Sequence, residues 1–300
     1  MDSIKERILR LKKEKNAIIL AHNYQILPVQ EVADFIGDSL QLAREAAKIE
    51  SELIVFCGVK FMAETAKLLN PQTKVLLSVA EAGCPMADMI TGAQLRKFKS
   101  KHPNSVTVCY VNSSVEVKAE SDICCTSGNA VKIINSIPKE KTILFVPDQN
   151  LGTYAAEQTG RNIIVWKGFC NVHHINITLA DVKRVKAEFP NYTLLVHPEC
   201  KPEVFREADI VASTKGMADY TKEHDNLIIG TEVGLFEQLR AKYPHKNLIP
   251  LSANAICKNM KKTTLADVLT TLETERNEII IEKDIADRAV KSIVKMLDLS

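Results

Sequence analysis

No Cys-x-x-Cys pair occurs in these 300 residues, although eight cysteines stand at 57, 84, 109, 124, 125, 170, 200 and 257. Zinc-finger, rubredoxin-like and bacterial-ferredoxin spacings are therefore absent, and the cysteines are too sparse for a disulfide scaffold. No run of eighteen apolar residues appears, so no membrane partner is expected. Charge of one sign is also lacking: 39 Lys plus Arg face 37 Asp plus Glu, a net charge of +2 that argues against a dedicated nucleic-acid protein. Neither a Gly-x-Gly-x-x-Gly nor a Walker sequence is found, which takes support from nucleotide cofactors. The first residues lack the apolar stretch of a signal peptide. They read as an amphipathic helix over Met1–Lys15, with apolar residues at 4, 8 and 11, and a cytoplasmic location is expected.

What is present is an ordinary globular mixture, 46% hydrophobic and 25% charged, in a chain long enough for two or three compact units. Its most informative feature is a repeat. Three apolar runs, 17–21, 106–109 and 192–196, read as buried strands and end at His22-Asn23-Tyr24, Tyr110-Val111-Asn112 and His197-Pro198-Glu199. Seventeen residues beyond His22, Tyr110 and His197 stand Ser39, Ser127 and Thr214, each preceded by an aspartate five residues earlier: Asp34, Asp122 and Asp209. Helix-like and strand-like stretches then alternate until each unit closes on a cysteine, at Cys84, Cys170 and Cys257, 86 and 87 residues apart. The pattern predicts an α/β protein of three αβα domains with parallel sheets, related by a pseudo-threefold axis around a central cavity. The expected boundaries are 1–84, 85–170 and 171–257, with the helical segment 258–300 packing on the first unit.

Equivalent strand ends would collect functional groups at one place. Cys84, Cys170 and Cys257 would then converge, and three soft thiolates select zinc, copper(I) or an iron–sulfur cluster with one coordination position open. The other reading of each cysteine is a small buried hydrophobe. His22, Tyr24, Tyr110, Asn112, His197 and Glu199 offer proton donors, acceptors and a carboxylate, with Glu199 the preferred base. Core packing of the tyrosines and a solvated Glu199 are the plain alternatives. Ser39, Ser127-Gly128 and Thr214 would sit at helix starts suited to anions, or would simply cap those helices. His173-His174 would extend the polar wall or lie on the surface.

The sequence resembles the quinolinate synthase (NadA) family along essentially its whole length. The motifs carrying the resemblance include HNYQ at 22–25, GDSLQLA at 37–43, GCPMADM at 83–89, YVNSSVEVKAESD at 110–122 and CTSGNA at 125–130. GFCNVH at 168–173, HPEC at 197–200, STKGM at 213–217, GTEVG at 230–234 and NMKKTTL at 259–265 complete them. The resemblance implies a [4Fe–4S] cluster on Cys84, Cys170 and Cys257, with one iron lacking a protein thiolate and acting as Lewis acid. It also implies condensation of iminoaspartate with dihydroxyacetone phosphate to quinolinate, phosphate and two waters, with coupling to an iminoaspartate-producing enzyme. On that basis Glu199 and His197 move protons, Tyr24 assisted by His22 acts on an oxygen, and Ser39, Tyr110, Asn112, Ser127, Gly128 and Thr214 hold substrate. Another iron–sulfur dehydratase, a structural or redox metal protein and a dicarboxylate-binding module are the remaining readings.

Overall fold

The computed structural model describes residues 3–300; Met1 and Asp2, where the expected first helix and first unit begin, lie outside the described residues. The first unit runs α1 (Ile4–Glu14), β1 (Ala17–His22), α2 (Leu27–Gln30), β2 (Phe35–Gly37), α3 (Ser39–Ala46), β3 (Leu53–Cys57), α4 (Lys60–Leu69) and β4 (Lys74–Leu77). The second runs α5 (Gly92–Ser100), β5 (Val106–Tyr110), α6 (Val115–Ala119), β6 (Ile123–Cys125), α7 (Ala130–Asn135), β7 (Ile143–Val146), α8 (Gln149–Thr159) and β8 (Ile163–Val165). The third begins with α9 (Asn171–Asn176), α10 (Leu179–Glu188), β9 (Thr193–Val196) and α11 (Pro202–Phe205). It continues through β10 (Ile210–Val211), α12 (Thr214–Glu223), β11 (Asn226–Gly230), α13 (Val233–Lys242) and β12 (Asn247–Pro250).

Each unit holds one four-stranded sheet, and all three have the same order: β2-β1-β3-β4, β6-β5-β7-β8 and β10-β9-β11-β12. Every pairing between these strands is parallel. The strands read as apolar runs because helices cover both faces, so β3 and β7 are buried at every position. The three αβα units expected from the repeat are thus present.

The repeated aspartates explain themselves at this level. Asp34 Oδ2 accepts the amide of Ile19 at 2.8 Å, Asp122 Oδ2 that of Thr107 at 2.7 Å, and Asp209 Oδ2 that of Leu194 at 2.7 Å. Each aspartate amide donates back to the carbonyl of the same residue. The pair of bonds fastens the short edge strand to the first strand of its unit, where so few ladder bonds are available. Lysines at 12, 99 and 186 face the three carboxylates at 2.9, 3.9 and 3.6 Å.

Beyond each cysteine the chain enters a capped helix. Thr91, Thr178 and Thr264 form reciprocal capping boxes with Gln94, Asp181 and Asp267, opening α5, α10 and α14 (Leu265–Thr274). Two expectations need correction. The segment 258–300 does not lie wholly on the first unit: α14 packs on α1, whereas α15 (Lys283–Asp298) packs on α6 and β6 of the second. Its buried face, Ala289, Ser292, Ile293 and Met296, covers the apolar side of that sheet. The repeated hydroxyls also do not cap their helices. Asp38 and Ser213, one residue earlier, receive the amides of Gln41 and Gly216, and α7 starts three residues after Ser127. No helix among the described residues is long and apolar enough to cross a membrane.

Candidate active site

The C-terminal ends of the first strands of all three sheets open on a cavity of about 370 Å³. Cys84, Cys170 and Cys257 line it, one from each unit. All eight cysteines are free thiols. Burial, helped by Cys257 and Glu199, pushes the Cys84 thiol up to about 12; Cys170 is raised in the same way by burial, Glu199 and both other cysteines. Three thiols that oppose one another's ionisation in a buried cavity become a stable ligand set when a cationic group neutralises them. Backbone amides already point at the sulfurs, from Met86 and Ala87 to Cys84, His173 to Cys170, and Asn259 and Met260 to Cys257. A second donor grouping adjoins them: Cys170, His173 and Glu199 bring ligand atoms within 4.8 Å of one another. The three cysteine thiols from the three units fit a [4Fe–4S] cluster with one iron free of protein thiolate.

His22 ends β1, Tyr110 ends β5 and His197 follows β9, so one slot in the repeat carries histidine in two units and tyrosine in the other. His22 Nδ1 accepts the Tyr24 amide at 3.1 Å, which leaves the ring proton on Nε2. Burial, then the Lys261 ammonium, lowers its pKa to about 3. His197 is likewise lowered to about 3 by burial and by His173, and its Nε2 meets Ser127 Oγ at 3.1 Å. Both rings are therefore neutral near pH 7.

Glu199 is 3% exposed, yet its carboxyl stays charged. Burial opposes ionisation, but the adjoining His173 and a hydrogen bond from Tyr110 outweigh it and bring the pKa down to about 2. His173 Nδ1 lies 2.5 Å from Glu199 Oε2, and Asn112 Nδ2 donates to Oε1 at 3.5 Å. The Asn112 Oδ1 atom is buried without a hydrogen-bond partner, an open acceptor on the wall. Burial and Glu199 hold the phenols of Tyr24 and Tyr110 well above the usual range, so both keep their protons.

Ser39 and Thr214 also line the cavity, and Asn23 Nδ2 donates to Thr214 Oγ1 at 3.3 Å. Gly128 does not line it: this residue is exposed and faces Ser213 at the junction of the second and third units. His174 turns away from the cavity as well, stacking on Phe169 and meeting Asn150 Nδ2 at 2.9 Å.

Sequence reasoning did not find Thr231. Its Oγ1 lies 2.7 Å from Tyr24 Oη and 2.9 Å from His173 Nε2, making a hydroxyl–imidazole–phenol group from the first and third units. The only trace was its place in the GTEVG motif, since the same slot holds Gly58 and Pro147 in the other units.

Comparison with known proteins agrees with this geometry. The family model described as quinolinate synthetase A protein matches residues 6–298. The quinolinate synthase of Alkaliphilus metalliredigens is 50% identical over 297 residues, covering 98% of this chain and 97% of the relative. That of Dehalococcoides mccartyi strain CBDB1 is 52% identical over 296 residues, covering 98% and 97%. That of Methanoregula boonei is 51% identical over 298 residues, covering 99% and 98%. Match along the whole length, together with a cysteine from each of three like-built units in one cavity, means that the chain belongs to the NadA family of quinolinate synthases.

Proposed function

We propose that this chain condenses iminoaspartate with dihydroxyacetone phosphate to give quinolinate, phosphate and two waters, in the reducing cytoplasm. Units 1–84, 85–170 and 171–257 each deliver one cluster cysteine, and a separate enzyme supplies the unstable imine. The reaction balances without net oxidation. The observation that carries the reading is the meeting of Cys84, Cys170 and Cys257 with the charged Glu199 in one cavity. When bound to those cysteines, the cluster supplies a Lewis-acidic iron that polarises a substrate oxygen or nitrogen.

The protein's own groups divide the remaining work. Ser39, Ser127 and Thr214, from the three units, hold the phosphate and carboxylates with neutral donors. Asn112 and Tyr110 orient the fragment next to Glu199, with the open Oδ1 of Asn112 accepting from its hydroxyl or N–H. Glu199 takes the proton released as the carbon–carbon bond forms, and His173 at 2.5 Å relays it. Tyr24 retains its proton and donates it to a departing hydroxyl, replenished through Thr231 and His173. The neutral His22 and His197 donate hydrogen bonds to the substrate and exclude water from its polar edge.

The test is iron, sulfide and product after anaerobic purification and reconstitution. Wild type should hold about four iron and four sulfide per chain and form quinolinate, and Cys84→Ser, Cys170→Ser and Cys257→Ser should lose both. Stoichiometric zinc, or iron indifferent to these cysteines, would overturn the reading.

A further inference from the structure

The residue that caps the helix after the third strand occupies the same place in each unit. Lys60 N donates to Ala82 O at 2.8 Å, Gln149 N to Gly168 O at 2.8 Å and Val233 N to Ala255 O at 2.9 Å, so Val59, Asp148 and Glu232 are equivalent. Two of the three are fully buried carboxylates. Each uses its two oxygens for different tasks. Asp148 Oδ1 accepts the Leu151 amide at 2.7 Å and caps α8, while Oδ2 accepts the Cys170 amide at 3.2 Å. Glu232 Oε2 accepts the Gly234 amide at 2.7 Å, while Oε1 accepts the Cys257 amide at 3.0 Å. Lys261 extends the second tether, meeting Glu232 Oε2 at 3.2 Å and the Tyr24 carbonyl at 2.7 Å. Glycine at 234 makes room for it, since a Cβ there would stand 2.5 Å from Lys261 Nζ and 3.0 Å from Tyr24 Cα. In the first unit the slot holds Val59, which makes no side-chain cap.

We infer that Asp148 and Glu232 are positioning residues that preset the Cys170 and Cys257 loops for the cluster, leaving the Cys84 loop as the one that adjusts. A buried carboxylate suits these positions because it offers two acceptor oxygens, one for the helix end and one for the cysteine amide. The asymmetry has a consequence for assembly. Two ligands wait in place, and closure of the third fits whatever cluster arrives. Apolar Val59 offers no acceptor, either to the start of α4 or to the Cys84 amide.

The inference rests on the cluster reading of these cysteines, and the test separates the two. Asp148→Asn and Glu232→Gln retain shape but replace one acceptor with an N–H donor, which repels the cysteine amide. In reconstituted protein, each should release its cluster to a chelator roughly tenfold faster than wild type, as loss of outer-shell partners does at metal sites. In apoprotein, mass-mapped alkylation should rise selectively at Cys170 in Asp148→Asn and at Cys257 in Glu232→Gln, with Cys84 unchanged. Unchanged chelator and alkylation rates, or equal increases at all three cysteines, would overturn the inference, because equal increases mean general loosening. Should either variant fail to fold, Asp148→Glu and Glu232→Asp shift the carboxylate by one methylene, and the same cysteine-selective pattern is required of them. A wild-type protein without cluster fails the functional reading instead, whatever the variants do.

Discussion

Tyr24, Thr231 and His173 sit close enough to pass one proton among them, and that closeness sets a testable pattern of loss. Tyr24→Phe and Thr231→Val should each lower the single-turnover rate of quinolinate formation by about 10²–10⁴, the usual worth of a positioned acid. The double variant should be little worse than either single, since groups that act as a unit are not additive. Losses that multiply would mean that Thr231 acts independently of Tyr24. The sequence made Tyr24 visible because it stands two residues beyond a strand-end slot that recurs three times. It left Thr231 in the dark for a physical reason: Tyr24 and Thr231 are 207 residues apart, and the slot of Thr231 carries no hydroxyl in the other units. Repetition reveals what the units share. The site depends as much on what they do not.

Secondary elements tell a similar story through length. Central strands such as β3 and β7 are legible because burial on both faces leaves continuous apolar runs, whereas β2, β6 and β10 have only three, three and two residues. Their presence depends on the aspartate that fastens each to its neighbour, and the sequence displayed the aspartate without its purpose. The apolar stripe of α15 announces a helix but not the partner that it covers. Its place is settled by contacts remote in sequence: Ser292 Oγ donates to the Lys118 carbonyl at 3.1 Å, and Arg288 meets Glu120 at 2.8 Å. Ile293 is fully buried there. Ile293→Ala should cost about 2–4 kcal/mol in urea unfolding, with the loss set by how far the site collapses. A loss below about 0.5 kcal/mol would mean that α15 is dispensable to the second unit.

Across the whole molecule, the chain returns on itself where α14 packs against α1. Glu275, just past α14, fastens that closure through Lys15 at 2.6 Å and Lys74 at 2.8 Å. Hydrogen bonds from Lys15 and Lys74 lower its pKa from 4.5 to about 2. A carboxyl depressed on folding contributes stability above its unfolded pKa and loses it as the pH falls through the folded value. Glu275→Gln should therefore lower stability by about 0.5–1 kcal/mol at pH 7, the range for partly exposed pairs. The difference from wild type should shrink steadily below pH 4.5, which thermal melts from pH 7 to pH 3 would measure. A constant difference would assign the effect to packing. The slot shared by His22, Tyr110 and His197 bears on why three such units occupy one polypeptide. Three identical subunits joined around an axis would repeat any replacement threefold, so their centre would have to stay symmetric. Covalent linkage frees each copy to vary by itself, and a substrate whose two ends differ needs a centre whose sides are not all alike.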